Sequence, residues 1–322
     1  MQPHIMGWCQ QLGIHFFRRS KLLSHSCQQG LLLTATQCSS LHSAPNNVPV
    51  QTVRDVINKL SIMVGASQSY GSTIEDRTQL LKLLPKSQDE LPPRKMMDSW
   101  DSALIPLSSD SRLREKYLTF KGGVRVGRLL EDLDVFAVWL CYKHVLLPSQ
   151  SSHPDLPSPY TIVTAMVDRM DFSKGAQLDP NLDIRLSGHV SWAGRSSMET
   201  VLKVDQLQGG TWKQVTSALF VMVARDPLNQ GSVVVNPLVP ETEEERSLFQ
   251  QGMLNKLSRK LVNEESLFKM PPNETEKSLV HELFMSMADP EQHSFAPKHK
   301  PTEDARWMED TKIKNIILCH PE

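Results

Sequence analysis

The stretch of sequence that most constrains the fold is residues 120–144, where a glycine-bearing turn leads directly into a long apolar segment. No helix breaker interrupts that segment, and its apolar side chains recur at helical spacing: Leu129, Leu133, Phe136, Ala137 and Leu140. The spacing predicts an amphipathic helix of about four to five turns. Its wide apolar surface has to be covered by the rest of the fold or by a partner.

One acidic residue, Asp134, interrupts the apolar pattern. At 100° per residue, its carboxylate projects from the same side of the helix as four apolar residues: Leu130, Ala137, Val138 and Cys141. Asp132 points to the opposite side and Glu131 lies on the flank, so both are expected to be solvated. A carboxylate on an apolar face must be hydrogen-bonded or protonated. Asp134 therefore either caps a neighbouring loop from inside the core or acts as a general base or nucleophile.

The turn before this helix contains Gly122 and Gly123, and Gly127 follows at the predicted helix start. A helix start presents free backbone N–H groups and positive dipole character, and glycine lets a ligand approach the backbone closely. An oxyanion site at Gly127 and Arg128, with a carboxylate two turns further on, is an arrangement suited to acyl transfer.

The composition describes an ordinary globular chain, with 39% hydrophobic residues, 22% charged residues and a net charge of −1. There is no strongly basic surface to indicate a nucleic-acid partner, and no apolar run approaches the length of a transmembrane segment. Three of the five cysteines, Cys9, Cys27 and Cys38, lie near the N-terminus. Cys141 and Cys319 are too few for a disulfide framework and do not have metal-ligand spacing, so no metal or cofactor is expected.

The first 54 residues contain no Asp or Glu, whereas Arg18, Arg19, Lys21 and Arg54 are basic and serines are frequent. This composition is typical of a mitochondrial transit peptide. A disordered tail without a targeting role is the alternative, and the complete absence of acidic residues argues against it. We predict a mitochondrial protein, located in the matrix or associated with the inner membrane.

The remaining pattern predicts an α+β fold in which an antiparallel sheet wraps around the single central helix. Alternating residues predict a first strand near residues 101–107 and four more after the helix, at residues 160–172, 183–192, 198–207 and 212–225. Short helices are expected at residues 52–64, 74–84 and 278–288, and a longer, charged amphipathic helix at 241–262. Residues 306–318 resemble a further strand, and their beginning echoes residues 95–102, which suggests an internal repeat.

Other chemical motifs are absent or weak. Residues 122–129 have the glycine spacing of a phosphate loop but lack its Lys-Ser/Thr, and there is no nucleophile elbow or zinc motif. Cys141 is interpreted as a core residue, and His189 is expected to point to solvent with Ser187 and Ser191. The segment Arg195, Ser196 and Ser197 is a hairpin turn, or alternatively a contact for a phosphate-bearing ligand.

Three segments together resemble the mitochondrial double-hotdog acyl-coenzyme A thioesterases, in particular the acyl-coenzyme A thioesterase 9 type: residues 124–134, 187–199 and 220–226. The resemblance covers about residues 52–322. It implies a hotdog fold, an active site at the junction of two hotdogs, and hydrolysis of fatty acyl-CoA to fatty acid and CoA. Asp134 matches the family's helix acid, and Gly127 and Arg128 match the turn that polarises the thioester carbonyl. Arg195, Ser196 and Ser197 match a segment near the CoA side of the groove.

On this basis the chain is divided as follows: residues 1–44 are a transit peptide and disordered lead, 45–93 a helical N-terminal extension, 94–228 a hotdog thioesterase domain, 229–296 a charged helical linker, and 297–322 the first strand of an incomplete second hotdog. The family's second hotdog faces the acid of the first, so we expect this chain to need a partner hotdog, from a second copy or a full-length relative. Its unpaired face is expected to expose apolar surface. The alternatives are a catalytically inactive acyl-CoA-binding or subunit-modulating fragment and, less well supported, a hotdog dehydratase, whose members usually pair a histidine with the acid.

Overall fold

The computed structural model describes residues 51–66, 77–148, 156–172, 178–287 and 311–314. The predicted transit peptide lies outside these residues. Of the strand expected over residues 306–318, only 311–314 are described, and none of these four residues lies in a strand. The structure divides into two compact units, the first ending at Met253 and the second beginning at Leu254.

Helix α1, Val53–Val64, packs against the core of the first unit. Thr52 caps the helix, and its side chain and that of Asp55 satisfy each other's backbone N–H groups in a capping box. Val53, Val56 and Leu60 are buried as expected from their spacing. The helix expected over residues 74–84 is a 3₁₀ helix, Arg77–Leu83, in its described part. A short helix α2, Met96–Ser99, then leads into the sheet.

The sheet consists of five antiparallel strands: β1 Asp101–Ile105, β2 Thr161–Phe172, β3 Ile184–Ala193, β4 Ser197–Gln208 and β5 Thr211–Arg225. Their order is β1-β3-β4-β5-β2, so β3, β4 and β5 form the expected meander and β2 returns to the far edge. The bounds of β2 to β5 agree with the expected strands to within one residue. The sheet therefore confirms the predicted antiparallel architecture.

Between β1 and the central helix lies a helix that the sequence pattern did not predict, α3, Ser111–Lys116, capped by the side chain of Asp110. After it, Leu118 and Val124 pair as an isolated antiparallel bridge. Gly122 closes the intervening turn with φ 78°, a left-handed conformation that favours glycine. This small hairpin leads directly into the start of the central helix.

The central helix, α4, spans Val126–His144 and packs against β2, β3, β4 and β5. All five apolar residues that predicted this helix are fully buried, namely Leu129, Leu133, Phe136, Ala137 and Leu140. Burial of each large side chain stabilises the fold by about 1.5–3 kcal/mol. At Gly188 on β3, a Cβ atom would lie 2.4 Å from the carbonyl oxygen of Val201 and 3.2 Å from Leu140 Cδ1. The close approach of helix and sheet therefore depends on glycine at this position.

Two helices follow the sheet, α5 at Glu243–Glu264 and α6 at Glu274–Met287. Both were expected, but α6 begins four residues earlier than predicted because Asn273 caps it: Asn273 Oδ1 accepts from the N–H of Glu276 at 2.9 Å. In the second unit, Leu279, Val280, Leu283 and Phe284 on α6 are exposed. None of the helices within the described ranges is both long and apolar enough to cross a bilayer.

Candidate active site

The first turn of α4 is open to solvent and lacks a side-chain cap. Arg125 is the N-cap residue, and its side chain makes no capping hydrogen bond. The first intrahelical bond runs from the N–H of Leu129 to the carbonyl of Arg125 at 3.2 Å. The N–H groups of Val126, Gly127 and Arg128 precede that bond and have no acceptor within the helix. Gly127 is exposed, and a Cβ atom there would meet nothing within 4 Å.

Asp134 lies in the third turn of α4 and is half-buried. Its Oδ1 atom accepts a hydrogen bond of 2.5 Å from the hydroxyl of Thr164 on β2, and that hydroxyl also lies 3.5 Å from Met222 Sδ on β5. The pairing of β2 with β5 shifts register between Thr164 and Met166, so the bond is made where the edge strand is irregular. The acid therefore bonds to a strand instead of capping a loop.

The rise of the helix separates the acid from the open first turn. An α-helix advances 1.5 Å per residue, so Gly127 and Asp134 are about 10 Å apart along the axis. They lie on nearly the same side, because seven residues complete almost two turns. The fold therefore presents both groups along one line of the helix surface without bringing them into contact.

Asp132 is buried, and the prediction from sequence that it would be solvated is wrong. It is only 1% exposed, and the hydroxyl of Tyr117 donates a hydrogen bond to its Oδ2 atom. Burial raises the pKa of the Asp132 carboxyl, while the Tyr117 hydrogen bond and the Arg128 charge act in the opposite direction. Asp132 is covered by Tyr117, the residue that follows α3, which the pattern did not predict. Glu131 is exposed, as expected.

The side chain of Arg128 folds back along α4. Its Nη1 atom lies 2.5 Å from Glu131 Oε2, its Nη2 atom lies 3.1 Å from Asp132 Oδ1, and its guanidinium carbon lies 5.8 Å from the centre of the Tyr117 ring. Burial alone would lower the pKa of Arg128, but the Asp132 charge and the interactions with Tyr117 and Glu131 together outweigh it, and the pKa is raised. Arg128 and Asp132 are four residues apart, and this i,i+4 spacing could have predicted their ion pair from the sequence.

Arg195 and Ser196 form the β3–β4 turn, and Ser197 begins β4. The carbonyls of Arg195 and Ser196 accept from the N–H groups of Val235 and Ala224, at 2.9 and 2.8 Å, and the Arg195 side chain is exposed. Thr164, Met222 and Met198 lie in one row across β2, β5 and β4, so the turn is at the same end of the sheet as Asp134. Two strand spacings, about 10 Å, separate Thr164 from Met198. Only a long ligand could contact both Asp134 and the β3–β4 turn.

Cys141 and His189, which the sequence analysis set aside as candidate site residues, lie in ordinary structural environments. Cys141 is fully buried in the core, as expected, and burial raises the pKa of its thiol. His189 and Ser187 on β3 are half-buried, whereas Ser191 is buried and donates to the Glu199 carbonyl at 3.3 Å, so the expected solvent face is partly covered. Among the described residues, no group of three or more His, Cys, Asp or Glu side chains could hold a metal ion.

Comparison with known proteins identifies close relatives along most of the chain. The chain is 42% identical over 308 residues to the mitochondrial acyl-coenzyme A thioesterase 9 of Homo sapiens, an alignment that covers 95% of this chain and 69% of that protein. It is 43% identical over 274 residues to mitochondrial acyl-coenzyme A thioesterase 10 of Mus musculus, covering 84% of this chain and 61% of that protein. No family model matches. The chain thus spans roughly two thirds of the length of these relatives.

Solved structures give weaker overlays. A hexameric acyl-CoA thioesterase in its apo form aligns with a TM-score of 0.44 and 22% identity, covering 55% of this chain and all of that one. An acyl-CoA hydrolase from Staphylococcus aureus, in complexes that include butyryl coenzyme A, aligns with a TM-score of 0.43 and 19% identity, covering 60% and 99%.

An antiparallel sheet wrapped around one central helix, in a chain with these relatives, defines a thioester hydrolase of the hotdog class. The chain belongs to the family of mitochondrial acyl-coenzyme A thioesterases typified by thioesterases 9 and 10. The predicted family, fold class, enzyme class and mitochondrial location are thereby confirmed.

Proposed function

We propose that this chain hydrolyses fatty acyl-CoA to a free fatty acid and CoA, with Asp134 as the general base. The observation that carries the proposal is the half-buried carboxylate of Asp134, held on an otherwise apolar helix face by Thr164. In the proposed reaction Asp134 removes a proton from water, and the water oxygen attacks the thioester carbon. The C–S bond then breaks, and the CoA thiolate takes up the proton.

In this proposal Thr164 is a positioning residue. Its hydroxyl occupies Oδ1 of Asp134 at 2.5 Å, which directs the second carboxylate oxygen, Oδ2, toward a water. The N–H groups of Gly127 and Arg128 polarise the thioester carbonyl and stabilise the oxyanion. Arg195, Ser196 and Ser197 hold the phosphate-bearing end of CoA, for which an exposed arginine at the same end of the sheet is suited.

We assign the acid and the N–H groups of one helix to two different active sites, because the family resemblance implies an active site at the junction of two hotdogs. Gly127 and Asp134, about 10 Å apart along the helix axis, do not contact each other. A second hotdog therefore supplies the facing half of each site, from another copy of this chain or from a longer relative. Residues 94–228 form the hotdog domain that makes this contact, in the matrix or at the inner membrane.

Mixing two inactive variants tests this composite site. Asp134→Ala removes the acid, and Gly127→Pro removes one N–H group from the first turn, where proline is tolerated. Gly127→Ala is the matched control, because it retains the N–H group and its Cβ atom meets nothing within 4 Å. Each inactive variant alone is expected to release little CoA from acyl-CoA, whereas the Gly127→Ala variant remains active.

When the two inactive variants are refolded together in equal amounts, about half of the dimers contain one chain of each kind. Each mixed dimer has one intact site out of two, so we expect about a quarter of wild-type activity. If both variants are inactive alone but their mixture stays inactive after subunit exchange is demonstrated, both groups act from the same helix. A folded wild-type chain without turnover in any assembly would instead indicate an acyl-CoA-binding subunit.

A further inference from the structure

The buried carboxylate of Asp132 has no part in the proposed hydrolysis, although it lies on the same helix as the acid. Its side chain is 2% exposed and is enclosed by Tyr117 and Arg128. Burying an ion pair usually gives little net stability, because desolvation of the charges opposes their attraction. Burial raises the pKa of Asp132, while the Tyr117 hydrogen bond and the Arg128 charge act in the opposite direction. Stability alone therefore does not account for this buried group.

Tyr117 contacts the start of α4 at two points. Its carbonyl accepts from the N–H group of Arg125, the N-cap residue, at 2.7 Å. Its hydroxyl donates to Asp132, which lies seven residues after Arg125 in the sequence. One residue thus holds both the entry to the helix and its second turn, and the open first turn lies between these points.

Arg128 connects this pair to the first turn itself. Its guanidinium is held by the Asp132 carboxylate at 3.1 Å and lies over the Tyr117 ring at 5.8 Å. The backbone N–H group of this same residue is one of the proposed oxyanion donors. Fixing the side chain in this way restricts the backbone of a turn that contains Gly127 and has no side-chain cap.

We propose that Tyr117, Arg128 and Asp132 form a clamp that aims the N–H groups of Gly127 and Arg128 at the thioester carbonyl. This inference rests on the proposed function, since it assigns positioning residues to the same reaction. Oxyanion donors act only within a narrow range of distance, and a displacement of about 1 Å can cost about 100-fold in rate. The clamp supplies the rigidity that the glycine-containing turn lacks.

The test compares Asp132→Asn with Asp205→Asn in the full chain. Asp205 is a matched control, because it is 7% exposed, pairs with Arg185 at 2.8 Å, and Arg185 stacks on Trp212 at 4.6 Å. It lies about 20 Å along β4 from the end of the sheet that holds the site. Asp132→Asn is expected to lower kcat by about 10- to 100-fold and to leave KM within about twofold, while Asp205→Asn changes neither.

Two non-hydrolysable ligands separate positioning from general damage. One is a ketone analogue of the acyl-CoA that keeps the carbonyl, and the other is an S-alkyl-CoA thioether that lacks it. Asp132→Asn is expected to weaken ketone binding about 10-fold and to leave thioether binding unchanged. Tyr117→Phe, which keeps the ring beneath Arg128 and removes only the hydroxyl, is expected to act in the same direction.

The outcomes are distinguishable from a failure of the proposed function. Unchanged kcat and ketone binding in a folded Asp132→Asn variant would overturn the clamp, as would equal weakening of both ligands with a lowered unfolding temperature. If Asp134→Ala retains wild-type turnover, the proposed function is wrong. The ratio of ketone to thioether binding tests the clamp in either case, because it requires no turnover.

Discussion

The hydroxyl of Thr164 donates a hydrogen bond of 2.5 Å to Oδ1 of Asp134, which ties the helix acid to the edge strand of the sheet. Asp134 has no such support from its own helix, whose neighbouring face is apolar. The strand bond fixes one carboxylate oxygen and leaves the other for a ligand. The orientation of the candidate base therefore depends on a residue 30 positions away in sequence.

Replacing Thr164 with Val should lower kcat by about 10-fold or more and leave KM nearly unchanged, because the acid loses its orientation and the shape of the strand is retained. Acyl-CoA hydrolysis kinetics provide the measurement. Thr200→Val on β4 is the matched control. The Thr200 hydroxyl is buried without a hydrogen-bond partner among the described residues, so its removal should preserve kcat and stabilise the fold by about 1 kcal/mol. Equal kcat in both variants would show that the Thr164 bond has no catalytic role.

His144 should make the stability of the fold sensitive to mild acid. It is fully buried at the end of α4, with Nε2 2.9 Å from the carbonyl of Asn236 and Nδ1 without a partner among the described residues. Burial lowers the pKa of His144 from 6.5 to about 4. Between these values the unfolded chain binds a proton that the folded chain does not, so stability should fall as pH decreases from about 6.5 toward 4.

Urea unfolding at several pH values measures this effect, which has an upper limit of about 1.4 kcal/mol per pH unit for a single group. His144→Gln retains an N–H donor and cannot titrate, so the part of the pH dependence due to this residue should disappear. A variant with the same slope as the wild type between pH 6.5 and 4 would exclude His144 as the source.

Asp101 should contribute stability at neutral pH. Its carboxylate accepts from Trp139 Nε1 at 2.8 Å, Lys143 Nζ at 3.1 Å and Gln51 Nε2 at 2.7 Å. Burial opposes ionisation, but the Trp139 hydrogen bond, the charge and hydrogen bond of Lys143 and the Ser102 backbone hydrogen bond together outweigh it, and the pKa of Asp101 is lowered. Because the folded pKa is below the unfolded value, this stability is present above about pH 3.9 and is lost as pH falls through the folded pKa.

Asp101→Asn is accordingly expected to cost about 1–3 kcal/mol at pH 7, measured by chemical denaturation, and the difference from wild type should shrink in acid. Glu115→Gln, on the exposed side of α3, is the control and should be close to neutral. A loss that stays constant down to pH 3 would indicate a packing effect instead of a charge effect.

The sheet and the central helix were predictable from sequence because both have a buried face and a regular period. Leu129, Leu133 and Phe136 mark α4 through their spacing alone, and alternation marks β3 in the same way. The 3₁₀ character of Arg77–Leu83 and the short helix α3 have too few residues to generate a periodic signal.

The surroundings of the two helix acids were predicted with unequal success. Asp134 was identified because it interrupts an apolar face, which is a local property. Asp132 was misassigned as solvated because its burial depends on Tyr117, which arrives from outside the helix through the unpredicted α3. Thr164 could not be paired with Asp134, since strand register sets that contact. Periodicity therefore identifies an acid on a buried face and does not identify the residues that hold it.

The most direct test of the central claim is the rate of CoA release from a long-chain acyl-CoA by the wild-type chain and by Asp134→Asn. The substitution keeps the size of the side chain and its bond to Thr164, and removes only the ability to accept a proton. Loss of a general base typically costs about 100- to 10,000-fold, so turnover should fall by that factor while the thioether analogue still binds. Turnover within about threefold of wild type in a folded Asp134→Asn sample would contradict the assignment of Asp134 as the base.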